Sequence, residues 1–320
     1  MTELKFVESG SSLGTFMDCP KKYEFSYIKK LSSRNYQRNL AYGSFVHALV
    51  EEAHLGKDLS AITEVHSTTL IGKELERYLK EYPESSLNIQ KDAALALAVT
   101  KEWQKYWKER SDDLSSNSYT ISQAEKEWAF RVNASIDSPI HAGKSDAILF
   151  HKTYSGSFLY ELKTSGSTTK EAYKHKLELD KQINSNLIAM KMDGLSPRGV
   201  VYDIIWKPAI RLKKDETEEE FTQRTIELYQ KSPQEYFERL MVFRSEKDLD
   251  DYALDLHGQY SALRGVIERG RFYRNTNACE RFGKLCQFFN ACMGGAPQEE
   301  IEQFVVRDKK LPELTKEIQE

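Results

Sequence analysis

Asp146, Glu161 and Lys163 are charged residues that two predicted strands bring close together. Asp146 begins one strand, and Glu161 and Lys163 flank Leu162 on the next. Strand alternation puts Glu161 and Lys163 on one face, and hairpin pairing can place Asp146 alongside them. Two carboxylates form an oxygen-ligand site for Mg²⁺ or Mn²⁺, and an ammonium can orient or help deprotonate a water that attacks phosphorus. These residue types therefore suit metal-assisted phosphodiester hydrolysis.

The spacing of these three residues is by itself a weak signal, since exposed strands often carry a glutamate and a lysine two positions apart. The residues around them are apolar, which predicts that both strands are buried around the charges; they include Ile148, Leu149, Phe150, Phe158, Leu159 and Tyr160. A charge at the end of a buried strand indicates a functional site.

The four cysteines lie near opposite ends of the sequence: Cys19 is early, and Cys279, Cys286 and Cys292 are late. Thiolates are metal ligands, and a shared centre would close a very long loop and so stabilise the fold. The late cysteines lack the paired C-x2-C spacing of structural zinc sites, which weakens a zinc interpretation. Cysteines scattered through a core remain an alternative.

The predicted elements describe one decorated α/β domain. Predicted helices cover residues 41–55, 89–110 and 170–192, after a short helix and polar loop within 11–39, and residues 218–269 are predicted to be helical again. Predicted strands cover residues 119–132, 144–150, 157–163 and 199–206. The order of elements indicates a mixed sheet with helices against it.

No repeat or long linker divides the sequence, so residues 1–320 are predicted to form a single domain. Its parts are an N-terminal arm (1–40), a core (41–210) with a helical insertion at about 56–115, a C-terminal helical region (211–295) and an acidic tail (296–320).

Composition limits the classes of function. The formal net charge of −3 and the pI of about 6.2 give no global signature of a purely electrostatic nucleic-acid binder. Basic residues do cluster beside the cysteines, within 21–38 and 264–284, although solvated helix faces often look the same. The sequence contains neither a signal peptide nor an apolar run of about 20 residues, so we expect a cytoplasmic protein without membrane contact.

Five motifs, in order along the chain, resemble the RecB-type branch of the PD-(D/E)XK nuclease superfamily, including its iron–sulfur exonucleases of CRISPR adaptation, helicase–nuclease complexes and phages. Residues 11–23 are similar to the opening serine, leucine and Cys-Pro-x-x-(Tyr/Phe) signature, and residues 42–47 to the Gly-x-x-x-His helix. Residues 143–146 match the Gly-x-x-Asp strand and residues 160–164 the (Asp/Glu)-x-Lys-(Thr/Ser) strand, while Gln182 stands where the family's helix has a glutamine. The resemblance implies a restriction-endonuclease-like core, a central mixed sheet flanked by helices, with helical additions.

The resemblance also implies roles for individual residues. Asp146, Glu161 and His47 would bind the divalent metal, together with the backbone carbonyl of Leu162, and Lys163 would poise the water. A histidine on a helix is otherwise more often a surface or hydrogen-bonded core residue.

The resemblance leaves alternatives open at Gln182 and at the glutamate that precedes the aspartate strand. Gln182 would hold either Lys163 or the scissile phosphate, but Asn186 stands where the family usually has a tyrosine. A family glutamate that precedes the aspartate strand matches either Glu125 or Glu127.

The family's iron–sulfur members use one early and three late cysteines, so the resemblance favours a [4Fe–4S] cluster, joining the N- and C-terminal segments, over zinc. Its ligands would be Cys19, Cys279, Cys286 and Cys292.

We therefore expect a Mg²⁺- or Mn²⁺-dependent DNA nuclease, an exonuclease more than an endonuclease, that acts on single strands or ends in a bacterial, archaeal or phage-infected cell. It would serve repair, recombination, or phage or CRISPR DNA processing. The sequence lacks a G-x-x-x-x-G-K-(S/T) motif, so a helicase partner would have to supply any ATP-driven unwinding. The alternative is a non-catalytic iron–sulfur subunit that binds DNA or supports assembly and keeps the nuclease-like fold.

Overall fold

A computed structural model describes residues 7–63, 65, 68–133, 135, 138–166, 169–281, 283–293, 301–312 and 314. The ten strands of these residues are β1 (Val7–Ser9), β2 (Leu31–Ser33), β3 (Tyr119–Arg131), β4 (Ile140–His151), β5 (Gly156–Ser165), β6 (Pro197–Trp206), β7 (Phe237–Phe243), β8 (Glu280–Arg281), β9 (Lys284–Leu285) and β10 (Phe304–Val306).

The eleven α-helices of the same residues are α1 (Gly10–Asp18), α2 (Pro20–Tyr23), α3 (Arg38–His54), α4 (Leu70–Glu81), α5 (Ser86–Glu109), α6 (Lys170–Glu178), α7 (Lys181–Met192), α8 (Glu218–Lys231), α9 (Pro233–Tyr236), α10 (Glu246–Arg269) and α11 (Phe289–Met293). A π-helical turn, Glu24–Ile28, follows α2. None of the described helices combines the length and the apolar character that crossing a bilayer requires.

The central sheet has six strands, which confirms the predicted mixed sheet between helices. Its order is β1-β4-β5-β6-β7, and β3 also pairs with β4. Strands β5 and β6 are parallel, as are β1 and β4, whereas the other pairs are antiparallel. On one side α3 and α5 cover the sheet through a large apolar cluster, and on the other side α7 packs against β5 and β6.

Two strands of this sheet were missed by the sequence prediction. The region predicted to be helical from 218 to 269 contains β7 between α9 and α10, and the short β1 lies ahead of the first helix. The predicted helix over residues 170–192 is also two helices, because Asp180 caps the start of α7 by accepting a hydrogen bond from the Gln182 N–H at 3.0 Å.

Strand β4 has a gap along one edge. On that edge β1 pairs with residues 140–142 and β5 pairs with residues 147–151, so residues 143–146 lie between two ladders. The other edge of β4 pairs with β3 from Ile140 to His151. Strands β4 and β5 therefore separate at Asp146, where a hairpin would otherwise continue.

A buried ion pair lies beneath the α3 and α5 side of the sheet. Arg239 Nε donates to Asp203 Oδ2 at 2.6 Å, and both side chains are fully buried. Trp103 and Tyr160 also donate to the Asp203 carboxylate. The Arg239 guanidinium lies 4.1 Å from the centroid of the Trp107 ring. Additional hydrogen bonds of this kind make a buried charge pair tolerable, so β6 and β7 are fixed to each other behind the site.

The two ends of the described chain meet. Strand β10 pairs antiparallel with β2, and Lys310 forms an ion pair with the fully buried Glu8 of β1. Tyr23 donates to the same Glu8 carboxylate at 2.5 Å. The described residues of the predicted acidic tail therefore pack against β1 and β2. Residues 296–300, 313 and 315–320 of that tail lie outside the described residues.

Candidate active site and cysteine centre

Glu161 and Lys163 lie side by side at the gap between β4 and β5. Lys163 Nζ donates to Glu161 Oε1 at 2.6 Å, and Asp180 Oδ2 lies 3.7 Å from the same ammonium. Glu161 is 3% exposed, and its Oε2 is a buried oxygen without a hydrogen-bond partner among the described residues. A buried, unsatisfied carboxylate oxygen is costly unless a ligand completes its coordination, which suits a cation.

Asp146 faces this pair across the gap. Its Oδ2 accepts a hydrogen bond from the Leu162 N–H at 2.8 Å, which links the strands beyond the last ladder pair. His47 Nδ1 of α3 lies 3.4 Å from Asp146 Oδ1. The carbonyl of a strand residue projects to the same edge as its N–H, so the Leu162 carbonyl also faces the gap.

Glu125 completes a group of three possible ligands. Ligand atoms of His47, Glu125 and Asp146 all lie within 4.8 Å of one another, and oxygen and nitrogen donors at such spacing suit a divalent cation. Glu125 has a φ of 47° in the middle of β3, a conformation that non-glycine residues adopt mainly where function or structure demands it. Between the two candidates left by the sequence, Glu125 is therefore the one beside Asp146, and its carboxylate also forms an ion pair with Lys144.

The site shifts the pKa values of Glu161, Asp146, His47 and Lys163. Burial raises the pKa of Glu161 to about 7, although Lys163 partly opposes that shift. Burial acts in the same direction on Asp146, but His47 and the Leu162 N–H outweigh it and hold the pKa of Asp146 below its ordinary value. Burial disfavours the charged forms of His47 and Lys163, yet the surrounding carboxylates overcome this and raise the pKa of both groups.

These shifts predict a pH dependence of metal binding. A ligand must lose its proton before it binds a cation, and the pKa of Glu161, raised to about 7, and the raised pKa of His47 keep both groups largely protonated at pH 6. We expect Mn²⁺ affinity to rise by about tenfold or more per pH unit below pH 7 and to level off above it. Calorimetric titration between pH 5.5 and 8, in buffers with different ionisation enthalpies, would count the protons released. Glu161→Gln should reduce that count by one, whereas an affinity independent of pH would contradict this assignment.

Gln182 and Asn186 occupy different environments. The Gln182 side chain is exposed, and among the described contacts Asp180, rather than Gln182, approaches Lys163 from the start of α7. Asn186 is fully buried and accepts a hydrogen bond from Trp128 Nε1 at 2.9 Å. Asn186, at the position where the family usually has a tyrosine, therefore helps to hold α7 against β3.

The Trp128 ring explains the glycine of the Gly-x-x-Asp strand. Trp128 of β3 pairs in register with Gly143 of β4. A Cβ at residue 143 would lie 2.4 Å from the Trp128 ring, which leaves no space for a side chain. Gly143 thus permits the indole to cross β4 at the start of the gap that contains Asp146.

The four cysteines line one cavity between the first turns of the chain and the segment after α10. Cys19 is buried, and Cys279, Cys286 and Cys292 are partly buried. Burial raises the pKa of the Cys279 thiol, and the other three sulfurs raise it further. Four such groups repel one another as thiolates, so a positive centre would be needed to hold them deprotonated.

Hydrogen bonds and ring contacts also join the two cysteine-bearing segments. The Asn275 N–H donates to Cys19 Sγ at 3.4 Å, and Asn275 Nδ2 donates to the Asp18 carbonyl at 2.8 Å. The rings of Phe25 and Phe288 lie 5.2 Å apart beside the cavity. The N-terminal arm therefore contacts the late cysteine segment through backbone, polar and apolar groups.

Comparison with known proteins gives the chain its family. The sequence model of the PD-(D/E)XK nuclease superfamily matches residues 8–293. No curated protein matches the chain. A solved structure described as "Crystal structure of SSO0001" is similar at 13% identity and a TM-score of 0.32, over 78% of this chain and 95% of the other. Since the superfamily match spans nearly all the elements described above, including the gap in β4 and the four cysteines, this chain belongs to the PD-(D/E)XK nuclease superfamily.

Proposed function

We propose that this chain is a divalent-metal-dependent deoxyribonuclease that degrades single-stranded or end-containing DNA as an exonuclease. The observation that carries the proposal is the meeting of His47, Glu125 and Asp146 beside the Glu161–Lys163 pair. Membership of a nuclease superfamily supports phosphodiester hydrolysis with a divalent metal. A bound Mg²⁺ or Mn²⁺ would supply Lewis acidity and a metal-bound water.

The residues of the chain have separable roles in this proposal. Asp146, Glu161, His47 and the Leu162 carbonyl would hold the metal, with Glu125 as a further ligand. Lys163 is held in its charged form by Glu161 and Asp180, so it would donate hydrogen bonds to the water or the scissile phosphate rather than accept a proton. Gln182 would contact DNA from the exposed start of α7, since Asp180 already occupies the position beside Lys163.

The cysteines would hold a [4Fe–4S] cluster that fastens the N-terminal arm to the C-terminal region. A tetrahedral zinc site with Zn–S bonds of about 2.3 Å needs sulfurs roughly 3.8 Å apart. In the described part of the chain, no three cysteine sulfurs lie mutually within 4.8 Å, although all four line one cavity. That wider spacing supports a cluster over a single zinc ion.

We expect the protein to work in the cytoplasm of a bacterial, archaeal or phage-infected cell, in repair, recombination, or phage or CRISPR DNA processing. A helicase or another DNA-processing partner would separate the strands of a duplex.

Digestion of end-labelled DNA after anaerobic purification tests the proposal. We expect Mg²⁺- or Mn²⁺-dependent release of short products from linear single strands, progressing from one end, and complete inhibition by EDTA. Substrates labelled at the 5′ or the 3′ end give the polarity. Circular single-stranded DNA is the matched control, because an exonuclease leaves it intact.

Two outcomes would contradict the proposal in different ways. Cleavage of the circle at a rate similar to the linear strand would replace the exonuclease with an endonuclease. Binding without cleavage in every divalent metal would favour the non-catalytic DNA-binding subunit.

A further inference from the structure

A groove of about 380 Å³ lies between the N-terminal arm, α4 and the segment around β10. It is lined by aromatic, hydroxyl and cationic side chains rather than by a simple apolar surface. The side chains that matter here are Tyr27, Arg77, Tyr78, Glu81, Tyr82 and Arg307.

The groove reaches the first turn of the helix that carries His47. Leu40 of α3 lines the groove, and Ser44 Oγ lies within hydrogen-bonding distance (3.2 Å) of Tyr78 OH on the groove wall. Leu40, Ser44 and His47 have the i, i+4, i+7 spacing of a single helical face. At a rise of about 1.5 Å per residue, Leu40 precedes His47 by roughly 10 Å along the axis. The face of α3 thus connects the groove to the candidate metal site.

The C-terminal segment contributes an arginine that the family match does not include. Arg307 follows β10, beyond residue 293, where the superfamily match ends. Its N–H donates to the Lys30 carbonyl at 2.9 Å, and its guanidinium lies 5.5 Å from the centroid of the Tyr27 ring and donates to the Ser26 carbonyl. The Nε of Arg307 is buried and lacks a hydrogen-bond partner among the described residues. Arg307 is only partly buried and lines the groove, so a ligand in the groove can reach its guanidinium.

The chemistry of the groove fits one strand of DNA. Arg77 is already paired with Glu74 and Glu81, whereas no carboxylate of the described residues pairs with Arg307. Proteins bind single strands by stacking bases on aromatic rings and by placing cations against the backbone. The volume of this protein groove is in the range of small-ligand pockets, about 300–1,000 Å³. A DNA duplex is too wide to enter it, since the major groove of the duplex alone is about 12 Å wide.

We propose that this groove binds single-stranded DNA and guides it along α3 to the candidate metal site. Tyr82 stacks a base, and Arg307 contacts a phosphate. The proposal rests on the proposed nuclease function for its substrate, and its two key residues, Tyr82 and Arg307, lie outside the family's motifs.

Binding of a labelled 12-nucleotide oligothymidylate, followed by fluorescence anisotropy in EDTA, tests the groove. All variants are made in an Asp146→Asn background, so neither cleavage nor metal affects the result. We expect Tyr82→Ala and Arg307→Ala each to raise the Kd about tenfold, and Tyr82→Phe to retain most of the affinity because the ring remains. Arg307→Ala should also reduce the slope of log Kd against log salt by about 0.7, whereas Tyr82→Ala should not.

Lys247→Ala is the charge-matched control, since Lys247 is 80% exposed on α10, pairs with Asp251 and does not line the groove. Circular dichroism and thermal unfolding check the fold of every variant, and Arg307→Lys provides a second, milder change at that position. Unchanged affinity and salt slope in folded Tyr82→Ala and Arg307→Ala proteins would overturn the groove proposal. If the unmodified protein fails to cleave DNA but the groove variants lose affinity, the nuclease proposal fails and the groove stands.

Discussion

Asp146→Asn is expected to reduce Mg²⁺- or Mn²⁺-dependent DNA cleavage by at least about 10³-fold, since a metal contributes several kcal/mol of charge stabilisation. The amide has the shape of the carboxylate and can still accept the hydrogen bond from the Leu162 N–H. It loses the negative charge that the His47, Glu125 and Asp146 group needs to hold a cation. The expected defect is therefore in metal binding and catalysis, not in folding.

Lys163→Met should give a loss of similar size for a different reason. The methionine keeps much of the length of the lysine but removes the ammonium beside Glu161 and Asp180. Metal affinity should persist in this variant, because Asp146, Glu161 and His47 remain. Calorimetric Mn²⁺ binding combined with cleavage rates separates the two variants.

Lys231→Met and Glu227→Gln are the matched controls, because these residues form an exposed ion pair on α8, which carries none of the candidate site residues. Both control proteins should cleave DNA at close to the unmodified rate, since exposed ion pairs contribute little. Digestion by either Asp146→Asn or Lys163→Met at the unmodified rate would refute the assignment of the active site.

Local patterns in the sequence were sufficient to predict the arrangement of charged residues on β5, at the centre of the sheet. Alternation on β5 placed Glu161 and Lys163 on one face, and the structure gives their side chains a hydrogen bond of 2.6 Å. Alternation could not choose between Glu125 and Glu127, because residues two apart share a face. The positive φ at Glu125 distinguishes them, and a backbone angle of this kind has no marker in a single sequence.

Strand β7 was missed because its inward-facing residues are not all apolar. Phe237 and Arg239 are both buried, and a buried arginine breaks the alternation that identifies a strand. Its partner Asp203 lies on β6, so the reason for burying this charge is not local in sequence. Asp180 is a similar case: its capping role could be recognised before α7, but its approach to Lys163 depends on the fold.

Removing one late cysteine is expected to have the largest effect on stability. In Cys286→Ser protein we expect iron and acid-labile sulfide to be lost, together with visible absorption. The expected fall in the free energy of unfolding is roughly 5 kcal/mol, the chain-entropy value for opening a cross-link that closes most of the chain. The ring contact of Phe25 with Phe288 and the Asn275 hydrogen bonds remain, so the arm should loosen without unfolding the sheet.

Metal and sulfide analysis of anaerobically purified protein, followed by urea unfolding, checks this expectation. Unmodified protein stripped by a chelator is the matched control, and it should unfold at the same urea concentration as Cys286→Ser. One zinc per chain without sulfide would contradict the cluster, as would equal stability with and without Cys286. Equal stability would identify the thiols as ordinary core residues, and the attachment of the two segments would then depend on contacts such as the Arg281–Asp18 pair at 3.0 Å. Exposed pairs of that kind contribute at most about 1 kcal/mol, so the packing of Phe25 on Phe288 and the Asn275 hydrogen bonds would then account for most of the attachment of the N-terminal arm.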